Sequence, residues 1–144
     1  MFGMLISILS GALMSIQGVF NTAVTKQSGI WMASSFVQFT ALIVCVVAWF
    51  FTGREGSVAS IFAVDKKYML LGGVIGAFIT YTVIKGVELL GPAKAIMFIV
   101  VSQLIVAYLI ELFGLFGSEK ASFHFSKLLG MGLMIGGIIL FKWK

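Results

Sequence analysis

Six polar side chains stand inside otherwise apolar stretches of this chain, and they are the ones with chemistry to offer: Gln17, Asn21, Gln38, Tyr81, Lys85 and Gln103. Amides and a phenol both donate and accept hydrogen bonds, and a lysine adds one positive charge, so the set suits a small solute held by hydrogen bonding. Within hydrocarbon each such group is costly unless it has a partner or faces water, which makes these residues pointers to a polar cavity. Gln17 and Asn21 are four apart and share one helix face. Each residue also has a plainer use. Glutamine and asparagine lock helices together, tyrosine packs, and Lys85 can reach toward the headgroups and pair with Glu88 three residues later.

Other chemistries are missing from the sequence. No carboxylate sits in the middle of an apolar run, where a proton-coupled exporter of organic cations keeps one, so neutral, zwitterionic or anionic solutes are the classes left open. There is no Ser/His/Asp set, phosphate loop or metal-spaced cluster; no catalytic residue, metal or cofactor is expected. Glu111 stands near the end of an apolar run, either at the interface or as a protonatable gate. His124 has no second ligand nearby.

The elements that must position these groups follow from composition. Sixty per cent of the residues are hydrophobic and 10% charged, and the mean hydropathy is +1.14, a balance that belongs in a bilayer. The chain lacks the alternating ten-residue pattern of a membrane barrel, so the expected class is all-α, with one transmembrane domain over 1–144. Its helices are expected at about 2–24, 31–51, 68–88, 92–114 and 127–142. Turns fall at Lys26–Gly29 and at Gly91–Pro92; a polar link over 53–67 includes Glu55 and a short amphipathic segment through Val58, Ile61 and Phe62; a loop runs from Gly117 to Ser126. Trp31 and Trp49 bracket the second helix as an interfacial pair. The last helix is short, so Lys127 and Lys142 are expected to snorkel, with Trp143 at the interface. The first run has neither a basic leader nor a cleavage signature and is expected to stay in the mature protein.

The net charge of +5 comes from basic residues that sit singly or in pairs beside apolar runs. They read as anchors to membrane lipid headgroups, without the continuous basic face that nucleic acid needs. Cys45 reads as a small packing residue. With five helices, Arg54, Lys66, Lys67, Lys120 and Lys127 fall on one side of the membrane, and Lys26, Lys85, Lys94, Lys142 and Lys144 on the other. The positive-inside rule then gives no preferred orientation, so dual insertion is expected: an antiparallel dimer, or pairing with an oppositely oriented five-helix homologue. Small residues mark close packing at Ser7–Gly11–Ser15, Gly72–Gly76 and Gly132–Gly136. The last pair suits either packing within the chain or a dimer seam.

The segment GALMSIQGVFN from Gly11 to Asn21, with Gly72, Gly76, Gly91, Gln103, ELFGLFG from Glu111 to Gly117 and the closing LLGMGLMIGGIIL, resembles the bacterial YdcZ-type family of the drug/metabolite transporter superfamily. Glu111 stands where that family commonly has Asp. The resemblance implies a multi-pass protein of the bacterial inner membrane, half the size of the ten-helix members whose inverted halves surround a midplane site. It implies transport of a small metabolite or drug-like solute by alternating access between two opposed copies, or an accessory role beside such a homologue. Gln17, Asn21 and Gln103 are the polar residues it would place in the pathway.

Overall fold

The computed structural model describes residues 1–54 and 56–142, the last of these by its backbone alone. Glu55, Trp143, Lys144 and the Lys142 side chain, expected in the link and at the last interface, lie outside the described residues. Among the described residues all regular structure is helical: α1 (Phe2–Ser28), α2 (Ile30–Phe51), α3 (Val58–Phe62), α4 (Gly72–Leu90), α5 (Pro92–Phe113) and α6 (Phe125–Lys142). Short 3₁₀ turns at Lys67–Leu71 and Leu115–Gly117 precede α4 and follow α5.

Lys26, Gln27 and Ser28, expected in a turn, continue α1 instead. Local bonding explains this: the Ser28 hydroxyl donates to the Val24 carbonyl at 3.0 Å, and a lysine in the last turn complements the helix dipole. The break falls on Gly29, whose φ of 78° only glycine adopts without strain. The polar link holds α3, where Ser57 and Ser60 form a reciprocal capping box. Pro92 opens α5, where its missing N–H costs nothing. α6 begins at Phe125, two residues before the expected start.

Among the described residues, four stretches are long and apolar enough to cross a membrane: Phe2–Ser28, Ile30–Phe51, Lys67–Leu90 and Pro92–Phe113. The apolar part of α6, Phe125–Phe141, falls short of that length. α1 has 27 residues, about 40 Å at 1.5 Å per residue against a hydrocarbon core of about 30 Å, so it must tilt or emerge into the headgroups.

The chain divides into two compact units, Met1–Leu89 and Leu90–Lys144. In the first, α1 packs on α2, and Gly18 of α1 brings its backbone close to Val83 and Val87 of α4. Ala33, Ile84 and Val87 are buried there with the polar Asn21, Thr22 and Ser34. In the second unit α5 packs on α6, and Ala95 and Tyr108 are buried. Without a hydrophobic drive between helices in lipid, such close contacts are what hold each unit together.

Thr22 returns its hydroxyl to the Gly18 carbonyl at 2.8 Å, the usual way a helix tolerates a buried hydroxyl. Ser34 does not: its Oγ is buried with no hydrogen-bond partner among the described residues. An unpaired buried hydroxyl is a net cost, so Ser34→Ala is expected to stabilise the protein by about 1 kcal/mol. Thermal denaturation in detergent measures this; a fall in stability would assign Ser34 a bonding partner.

Candidate functional site

The first unit collects five of the six sequence-nominated residues, and their surroundings separate them into two groups. Gln17 and Asn21 lie one turn apart on α1 and line two open grooves. One runs along the open face of α1 with Ser10, Leu13, Met14, Ile16 and Phe20, a groove of about 590 Å³. The other lies between α1 and α2 with Val37, Thr40, Ala41, Val44 and Cys45, enclosing about 400 Å³. Gln17 is exposed, whereas Asn21 is only 8% exposed. Neither side-chain amide has a hydrogen-bond partner among the described residues. Thr40 Oγ1 donates to the Phe36 and Val37 carbonyls, each at 3.0 Å, which leaves its lone pairs free to accept.

The other three residues have protein partners. Gln38 Nε2 on α2 donates to Thr80 Oγ1 on α4 at 3.3 Å, and Thr80 passes its own hydrogen to the Gly76 carbonyl at 3.0 Å. The result is an interhelical polar clasp, the locking use of a membrane glutamine. Tyr81 stacks on Trp31 with ring centroids 5.0 Å apart and planes inclined by 24°, so Trp31 packs against α4. Lys85 Nζ lies 2.8 Å from Glu88 Oε2 on the same helix, which balances the positive charge. Replacing Gln38 by leucine is expected to weaken the first unit by about 0.6–1.7 kcal/mol, the range of hydrogen bonds between membrane helices, with solute affinity retained. Parallel melting and binding measurements check this; lost affinity at unchanged stability would return Gln38 to the site.

Gln103 lies on α5 in the second unit, exposed and without a side-chain partner among the described residues. That unit also holds a polar cluster that the sequence did not group. Lys127 Nζ lies 3.3 Å from Glu111 Oε2 and 5.2 Å from the centre of the Tyr108 ring. The Tyr108 hydroxyl accepts the His124 N–H at 3.4 Å, and the Glu111 carbonyl accepts the Ala121 N–H at 2.9 Å. The loop is thereby tied to the end of α5. The signal was present in sequence: Tyr108 and Glu111 share a helix face at three-residue spacing, and an opposite charge opens the next helix. Thr40, Thr80 and Gly18 were also missed. A lone threonine or glycine in an apolar run carries no mark of which neighbour it meets.

The small-residue pairs behave differently from one another. A methyl group on Gly76 would lie 3.8 Å from Gln38 Nε2, whereas methyls on Gly72, Gly132 or Gly136 would meet nothing within 4 Å among the described residues.

Long apolar helices on which unpaired amides line open grooves define a multi-pass helical membrane protein with hydrogen-bonding capacity inside the hydrocarbon span. The family model described as "Putative inner membrane exporter, YdcZ" matches residues 2–140, and the chain belongs to that family. It is accordingly a transporter of the inner membrane, in a family of exporters and not of enzymes. No curated protein and no solved structure matches it.

Proposed function

We propose that this chain is a secondary transporter of a small solute that works as a pair of oppositely inserted copies, exposing a central polar cavity to each side of the membrane in turn. The observation that carries the reading is the state of the α1 side-chain amides, which have no partner among the described residues: Asn21 is 8% exposed and lines both grooves, and Gln17 beside it is exposed on an apolar helix. An amide without a partner in hydrocarbon carries a desolvation cost, which a bound solute and a second copy would each remove. Gln103 presents the same need on α5. In the first unit the site in this proposal rests on Gln17 and Asn21, because Gln38, Tyr81 and Lys85 already have partners within the chain; Gln103 is proposed by itself as a solute-facing residue of the second unit.

Three further features support the pair. Counted over five spans, Lys and Arg number five on each side, or five against four when Lys85 within α4 is left out, which permits both orientations. α6 completes an odd number of spans once its ends reach the headgroups, which sets the termini on opposite sides. Gly132 and Gly136 leave a flat, uncovered stretch on that helix, fit for close approach by a second copy.

The test is topology. Single-cysteine reporters at each terminus, placed in a Cys45→Ala background and treated with a membrane-impermeant maleimide, are expected to label from both faces. Labelling of each terminus from one face alone would overturn the antiparallel pair. Leucine at both Gly132 and Gly136 should reduce crosslinked dimers, while alanine at Gln17 and Gln103 should lower counterflow in proteoliposomes by about tenfold or more with dimers retained. Counterflow by this chain alone also distinguishes a complete transporter from a subunit that requires a homologue.

A further inference from the structure

We infer that the grooves beside Gln17 and Asn21 take an uncharged solute with a carboxamide-like edge, one that offers both a donor and an acceptor and carries an apolar body. This inference names the substrate class of the site proposed above and rests on that reading. The argument begins with Asn21. It is more than nine-tenths buried, it lines both grooves, and its amide has no partner among the described residues. Gln17 repeats the same group one turn away. A primary amide presents N–H donors beside a carbonyl acceptor, and the complement of that pattern is another amide, a lactam or a urea.

Charge sets the other limit. Neither groove is lined by a lysine, arginine, aspartate, glutamate or histidine. The nominated cation, Lys85, is on α4 and is held 2.8 Å from Glu88. An ion taken into these grooves would lose its water without meeting a counter-charge, whereas a neutral amide would exchange hydrogen bonds to water for hydrogen bonds to Asn21 and Gln17. The remaining walls explain the apolar body: Leu13, Met14, Ile16 and Phe20 line one groove, and Val37, Ala41 and Val44 the other. Thr40 adds an acceptor, since its hydrogen is already engaged with backbone carbonyls.

Matched probes test this directly. Pyridine, quinoline and isoquinoline carboxamides can each be compared with their ring N-methylated cations and with the corresponding carboxylates, so that size and shape stay nearly constant while charge changes. Equilibrium dialysis against the purified full chain in nanodiscs is expected to show at least one neutral carboxamide binding about tenfold or more tighter than both its charged relatives. Asn21→Asp should reverse that order in favour of the cation, because the new carboxylate supplies the missing counter-charge. Binding of a cation or an anion at least as tight as that of its neutral relative overturns the inference, as does a failure of every neutral probe to bind. The reading beneath it is checked separately: counterflow of a charged probe would sustain transport and overturn the substrate class, while neutral binding with no counterflow would do the reverse.

Discussion

Leucine in place of Gly18 is expected to prevent the first unit from assembling. A single methyl there would lie 3.3 Å from Val83 Cγ1 and 3.6 Å from Val87 Cγ2, so alanine already requires Val83 to yield by a few tenths of an ångström. The three further carbons of leucine would have to enter space those valines fill. Overpacking of this kind costs about 1–3 kcal/mol or more, and in lipid little opposes the alternative of separating α1 from α4, because no side-chain hydrogen bond joins those two helices among the described residues and their contact is sustained by packing. Gly11 is the control. A methyl on it meets nothing within 4 Å among the described residues, so Gly11→Leu should change stability by less than about 0.5 kcal/mol, as surface substitutions do. Thermal unfolding of both variants in detergent decides the matter: equal melting temperatures would mean that α1 does not pack on α4 through Gly18.

Asn21→Leu is expected to remove solute binding while leaving the fold as stable as before, or more so. The two side chains share a branched skeleton of four heavy atoms, the extra volume of leucine extends into the open grooves that Asn21 lines, and the amide it replaces has no partner among the described residues, so the substitution breaks no side-chain bond. Function should respond in the opposite direction. Loss of a hydrogen-bonding group facing a solute costs about 1–3 kcal/mol, or roughly 5- to 150-fold in affinity. Melting temperature and binding of the neutral carboxamide probes, measured on the same preparation, read both changes. A destabilised variant with undiminished binding would make Asn21 a structural residue and remove it from the site.

These two positions lie three residues apart in GALMSIQGVFN, and nothing in that string separates their roles. The segment is apolar around much of its circumference, so no stripe of hydrophobic residues marks an inward face as it would on a soluble helix. Gly11 and Gly18 read alike, yet one is open and the other closed against two valines. The same difficulty affected the polar residues. Lys85 and Glu88 are three apart, and their pairing was legible because it is local. The Gln38–Thr80 clasp spans 42 positions and was not. The stacking of Trp31 on Tyr81 likewise joins two helices across 50 positions and was not legible either.

The sequence by itself determined that this is a helical membrane protein, where its helices break, and to which family it belongs. Hydropathy is a sum over neighbouring residues, and the breaks at Gly29 and at Gly91–Pro92 follow from backbone restrictions internal to those residues. Only the tertiary structure decided which polar groups remain unpaired. That depends on how each helix is rotated about its axis, and in an apolar surround the rotation is set by contacts as small as the approach of Gly18 to Val83, made between residues far apart along the chain.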